Sequence, residues 1–309
     1  MSGIPNVPTV PPAPADGPEP RRIRYDRDPQ SLFFPGRATD FFPRGDAVSE
    51  AALCAEMARV AYVKHETGGP ERERLARTLR AVGFDVHDLL DAGGTQGFVA
   101  DGRTRESGPV RVIAFRGTEP DDFRDLLLDL DARPRRWGPE AIVHRGFARA
   151  FAHVEERVEA AAARAPGTVL FTGHSLGAAI ATLAASRHPA ARLYTLGSPR
   201  VGDAAFAALV PAARHERYVD YVDAVTRVPP HGFGFGYVHT GPGHFIDARG
   251  DIQPGLADEE IRARQAAGES GALGLAEVVD VFRARKIPEK LGIPLRDLTD
   301  HAPINYVAA

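Results

Sequence analysis

Hydrophobic and polar positions change their period several times along the chain. Residues 46–62 place Leu53, Met57, Val60 and Ala61 at helical spacing, which predicts a helix with one apolar face. Residues 70–82 repeat the pattern with Leu75, Leu79 and Val82, between Pro70 at a first helical position and Gly83 as a stop. Residues 97–101 and 110–115 are short β-prone runs. Residues 146–164 put Phe147, Phe151, Val154 and Val158 on one helical face. A β-prone run at 168–172 then leads into an Ala-rich helical run from Leu176. A strand at 192–196, a helix near 203–210 and a strand at 217–222 follow. After a Gly-rich stretch at 232–243, a hairpin is expected over 245–252 and one or two helices within 259–285. Strands alternating with helices predict an α/β fold, with a mostly parallel central sheet and helices on both faces.

Composition divides the chain further. Seven prolines fall in the first twenty residues, so residues 1–45 read as a Pro-rich, largely disordered N-terminal extension. Its aromatic pairs Phe33-Phe34 and Phe41-Phe42 are candidates to dock on the main unit. Residues 46–309 read as a single domain. Basic and acidic residues number 38 and 41, a net charge of −3, which offers nothing to a phosphate backbone, so no nucleic-acid partner is expected. Cys54 is the one cysteine, which excludes an intrachain disulfide and a cysteine metal cage. The N-terminus shows no apolar core of a signal peptide, which predicts a cytoplasmic protein by default, with export by a non-classical route as the alternative. Residues 165–186 carry no formal charge, yet Pro166, Gly167, Gly173 and Gly177 and the mid-run change of period argue against a membrane span.

That same stretch holds the candidate chemistry. Gly173-His174-Ser175-Leu176-Gly177 sits between a predicted strand and a predicted helix, the context in which a G-x-S-x-G run acts as a nucleophile elbow. A sharp turn there puts the serine at a strained backbone angle and leaves no room for β-carbons at the glycines. The Leu176 amide would lie at the helix N-terminus, where an oxyanion could form. A plain β–α turn with a helix-capping serine is the alternative. Residues 173–179 resemble the G-H-S-L-G-[GA]-A pattern of the fungal-type (class 3) lipase family of α/β-hydrolases. The resemblance covers about residues 51–309 through several motifs in order, and implies an α/β-hydrolase fold.

Other motifs extend the resemblance. Phe115-Arg116-Gly117-Thr118 is similar to the family's F-R-G-[ST], which implies that Thr118 joins Leu176 in an oxyanion hole. The amphipathic residues 121–130 correspond to a family segment that forms or borders a lid, although a solvated helix fits as well. The family often has a tryptophan where this chain has Leu126-Leu127-Leu128. Asp129 matches an aspartate that orients the oxyanion hydroxyl. The aspartates between 121 and 131 lack the glycine and closing glutamate of a calcium loop, so no metal is expected. His144, in H-x-G-F, reads as structural.

A serine hydroxyl needs a base and the base an orienting acid, in the chain order Ser, Asp, His for this fold. The residues alone leave Asp203, Asp220 and Asp223 open as acids, and His231, His239, His244 and His301 as bases. The resemblance selects Asp223, in a run like D-x-V-x-R-x-P-P, with Asp220 as fallback. It assigns His301, in the C-terminal D-H-x-x-x-x-Y ending, as base, and makes Asp203 and His239 structural. The expected function is a serine hydrolase cleaving carboxylic esters of lipids, a triacylglycerol lipase or esterase acting through an acyl-enzyme and no cofactor. A phospholipase A1 or an inactive binding module are the alternatives. The expected partner is a lipid or small ester, at a lipid–water interface in the lid reading. Removing residues 1–30 is expected to leave hydrolysis nearly intact.

Overall fold

The computed structural model describes residues 24–26, 28–43, 49–117, 133–229, 235–268 and 299–308. Strands β1 (Asp85–Ala92), β2 (Thr95–Thr104) and β3 (Gly108–Phe115) form an antiparallel meander. Strands β4 (Pro134–Trp137) and β5 (Ala141–His144) pair separately as a small hairpin. The main sheet continues from β3 through β6 (Thr168–His174), β7 (Arg192–Leu196), β8 (His215–Asp220) and β9 (Gly243–Ile246), all parallel. It ends on β10 (Ile252–Leu256), antiparallel to β9. The order among the described residues is β1-β2-β3-β6-β7-β8-β9-β10, so the parallel strands lie inside and antiparallel pairs make both edges.

Alternation along the inner strands sorts side chains to two faces. Phe98, Val112, Ala114 and Leu170 face helices α2 (Glu50–Val60) and α3 (Gly69–Arg80) through Leu53, Met57, Leu75 and Leu79, after a short helix α1 (Pro29–Phe33). Val99, Ile113, Phe115 and Phe171 face α4 (Arg145–Ala152), α5 (Glu155–Ala163) and α6 (Leu176–Arg187) through Phe147, Phe151, Val158, Ile180 and Leu183. Helices therefore cover both faces. Ser49 caps α2, its hydroxyl accepting the Ala52 N–H at 3.1 Å, so that helix begins later than its apolar pattern suggests. The aromatic residues before it dock: Phe33 and Phe42 are buried, with Leu32 beside them.

Four features differ from the sequence expectation. Strand β1 was hidden because Asp85, His87, Asp88 and Asp91 interrupt its alternation, and as an edge strand it buries only Leu90 fully. The β4–β5 hairpin was not foreseen. The helix expected over 146–164 is two helices meeting near Val154, whose backbone leaves helical values at φ −120° and ψ −3°. Its apolar stripe runs unbroken across the joint, so periodicity alone carries no sign of the break. Two short helices, α7 (Ala204–Ala207) and α9 (Pro303–Ala308), flank α8 (Asp258–Gly268), and α9 had no counterpart in the sequence pattern. No helix among the described residues is long and apolar enough to cross a membrane.

Candidate active site

The site begins where β6 turns into α6. Ser175 sits at φ 59° and ψ −126°, one of two non-glycine residues at positive φ among the described residues. Such a backbone costs about 1–3 kcal/mol and persists only where its surroundings over-determine it. Here the Ser175 N–H donates to the Leu196 carbonyl on β7 at 3.0 Å, and its own carbonyl accepts from Ala178 at 3.0 Å. The flanking glycines are sterically required. A β-carbon on Gly173 would lie 2.3 Å from the Gly177 carbonyl carbon, and one on Gly177 would lie 2.2 Å from the Phe115 carbonyl oxygen. The Ser175 side chain makes no capping bond to α6, which counts against the plain-turn alternative. Leu176 is the first residue of that helix, so its amide has no intrahelical acceptor.

The structure brings Ser175, His301 and Asp223 into one buried chain of hydrogen bonds. Ser175 Oγ is 3.0 Å from His301 Nε2, and His301 Nδ1 is 2.8 Å from Asp223 Oδ2. Asp223 lies just past β8 and is fully buried, and its carboxylate is surrounded by donors. Oδ1 accepts the Val225 N–H at 2.8 Å, and Oδ2 accepts the Tyr306 hydroxyl at 2.5 Å as well as His301. A carboxylate only accepts, so Nδ1 of His301 carries the hydrogen and a neutral ring leaves Nε2 to accept from the serine. Asp220 turns elsewhere, Oδ1 accepting the Tyr221 N–H at 2.7 Å.

Neighbouring groups fix this arrangement. Burial, then the carboxylates of Asp223 and Asp220, push the Tyr306 hydroxyl well above its usual range, so it stays a donor. Gly197, at φ 56°, lies against the contact: a β-carbon there would stand 2.8 Å from Asp223 Oδ2 and 3.1 Å from His301 Nδ1. The His174 ring lies 4.4 Å from that of His301 and shares its Nδ1 with the Tyr62 hydroxyl at 2.8 Å. Burial and the nearby His301 hold His174 well below the ordinary histidine value, so it is neutral. Tyr62 also backs Gly117, where a β-carbon would meet its hydroxyl at 2.0 Å and the His174 carbonyl at 2.6 Å. The end of β3 is thereby pressed against the elbow. Sequence reasoning gave no role to Gly197, Tyr62 or Tyr306, although Tyr306 closes the D-H-x-x-x-x-Y run and Gly197 opens the loop after β7.

The other expected residues fall as follows. Thr118, Asp129, residues 121–130 and His231 lie outside the described residues. His144 caps α4, its Nδ1 accepting the Phe147 N–H at 3.4 Å, and Asp203 caps α7 through the Phe206 N–H at 2.8 Å. His239 Nε2 meets the Thr226 carbonyl at 2.8 Å, and His244 stacks on Tyr218. Among the described residues no cluster of His, Cys, Asp or Glu could hold a metal ion.

Four buried histidines link this region to pH. Burial lowers His144 to about 4; burial, with Arg217 and His244, lowers His215 to about 3; His174 and His239 are held well below 6.5. They are neutral when folded and take up protons on unfolding once pH falls below about 6.5. Their contribution is therefore complete above that pH and is lost toward acid, at about 1.4 kcal/mol per pH unit for each histidine. Urea unfolding between pH 7 and 4.5 should show a steep fall in stability, and a flat profile over that window contradicts the buried neutral assignment.

The family model described as Lipase (class 3) matches residues 112–233, which include β6, the elbow and Asp223. The chain is 34% identical over 205 residues to the secreted mono- and diacylglycerol lipase A of Penicillium cyclopium, covering 62% of this chain and 64% of that one. It is 33% identical over 176 residues to the secreted mono- and diacylglycerol lipase 1 of Fusarium solani, covering 51% and 52%. The chain thus spans less than two thirds of the length of these relatives. A crystal structure of MDLA from Penicillium cyclopium superposes with a TM-score of 0.59 at 24% identity, covering 72% of this chain and 91% of that one. The fold is that of the α/β-hydrolases, as expected. The expected cytoplasmic location does not stand, because both relatives are by name secreted proteins.

Proposed function

We propose that this chain is a serine hydrolase of carboxylic esters, acting outside the cell on acylglycerols, a reading supported by the match of residues 112–233 to the class 3 lipase family model. One observation carries the reading: His301 bridges Ser175 Oγ at 3.0 Å and Asp223 Oδ2 at 2.8 Å in a buried site. In this reading Asp223 holds the His301 ring with Nε2 toward the serine. Ser175 Oγ attacks the ester carbonyl while His301 Nε2 takes its proton. The tetrahedral oxyanion is held by the amides of Leu176 and Thr118, each worth about 3 kcal/mol in the transition state. Its collapse breaks the ester C–O bond, and His301 returns the proton to the departing alcohol. Water, deprotonated by His301, then attacks the acyl-serine, and the acid leaves as Ser175 regains its proton.

The names of the relatives make mono- and diacylglycerols the first substrates to try. The test is hydrolysis of p-nitrophenyl esters, then of mono-, di- and triacylglycerols and phospholipids, by the purified chain beside Ser175→Ala. The expected result is turnover of the acylglycerols that the variant lacks. Equal turnover by both proteins contradicts the reading, and preference for phospholipids moves the substrate to a different ester class.

A further inference from the structure

The loop that carries His301 is held from a distant part of the chain. Tyr25 donates its hydroxyl to Asp300 Oδ1 in a very short contact and lies 2.9 Å from the Thr299 hydroxyl. The Asp26 N–H donates to Asn305 Oδ1 at 2.7 Å, and Asn305 Nδ2 returns a bond to the Asp26 carbonyl at 2.9 Å and reaches the Thr299 carbonyl at 2.7 Å. These partners lie on both sides of His301 in sequence. Asp300 and Asn305 are buried, and the other oxygen of Asp300 accepts the Val222 N–H at 3.1 Å, one residue before Asp223. Tyr25 and Asp26 therefore end a network that touches the segments of both the base and the acid.

We propose that residues 25 and 26 form a strap whose hydrogen bonds to Asp300 and Asn305 position His301 between Ser175 and Asp223; this rests on the triad reading above. Tyr25 and Asp26 are positioning residues, since neither touches the serine. Beside these contacts an open groove is lined by Asp26, Ser31, Phe34, Arg59, Pro303 and Ile304. Burial and the Asp300 carboxylate raise the Tyr25 hydroxyl above its ordinary value, so the donor persists at any working pH. The N-terminal stretch is then part of the enzyme from Tyr25 onward, and removal of residues 1–30 would not leave hydrolysis intact.

The test is Tyr25→Phe in the full chain, which deletes one hydroxyl and keeps the ring. A base displaced by a fraction of an ångström loses rate rather than binding, so kcat should fall about tenfold with KM within about twofold. Asn305→Asp removes the amide donor to the Asp26 and Thr299 carbonyls and should shift kcat in the same direction. Unfolding midpoints and Ser175→Ala run alongside. Wild-type kcat in Tyr25→Phe with an inert Ser175→Ala overturns the strap and leaves the triad reading standing. A kcat loss no larger than the unfolded fraction also overturns the strap, as a merely structural tie would give. An active Ser175→Ala instead removes the triad reading, and the strap with it.

Discussion

Ser175→Ala should lower kcat on a p-nitrophenyl ester by about a millionfold, with KM nearly unchanged. The size follows from the proposed roles. The serine oxygen forms the covalent bond, and it is this oxygen that lies 3.0 Å from His301 Nε2. Alanine leaves the pocket and any oxyanion donors in place, so the variant should keep a residual rate above water of about 10³–10⁴-fold. The substitution also keeps the glycine clearances, since Gly173 and Gly177 are untouched and alanine tolerates the same turn about as poorly as serine. Loss of activity with an unchanged unfolding midpoint is thus the expected pair of results. A proportionate loss of both would point to a collapsed elbow.

Asp223→Asn should cost about 10⁴ in kcat. The amide fills the same space against Gly197, so the fold around it is preserved. What changes is hydrogen-bond polarity. The carboxylate accepts from Val225, Tyr306 and His301 at once. An asparagine can accept through one oxygen only, and an NH₂ turned toward His301 Nδ1 would favour the tautomer with its hydrogen on Nε2, facing the serine. Nε2 could then no longer take the serine proton. Ser175→Ala combined with Asp223→Asn should be no slower than Ser175→Ala alone, because the three residues act as a unit. A conventional steady-state comparison of the three variants reads this directly, and additive losses contradict it.

The sequence made the inner sheet legible and its margins obscure. Strands β3, β6 and β7 are apolar runs buried on both faces, and their hydrophobicity states their position plainly. Edge strand β1 buries one residue fully and mixes acids with leucines, so no period emerges. The elbow was legible because its two glycines at fixed spacing are dictated by steric overlap, any β-carbon there falling 2.2–2.3 Å from backbone atoms. Gly197 was not, because the groups it must clear come from residues 223, 301 and 306, which adjoin it only in the folded chain. The strap was invisible for the same reason: Tyr25 and Asp300 are separated by 275 positions, and nothing local in a Pro-rich stretch marks one tyrosine as a hydrogen-bond donor. Location was misjudged from the N-terminal composition, a signal that carries no information about the fold or the site.

In the proposed mechanism Ser175 is the nucleophile. Incubation with an alkyl phosphonate ester, followed by intact-mass analysis and peptide mapping, tests it most directly. The reagent mimics the tetrahedral intermediate and stays on the attacking oxygen. One equivalent of label is expected on the peptide containing Ser175, with loss of ester hydrolysis in proportion to labelling, and in Ser175→Ala no label and only the residual hydrolysis. Label on another residue, or hydrolysis that persists in the fully labelled protein, would contradict it.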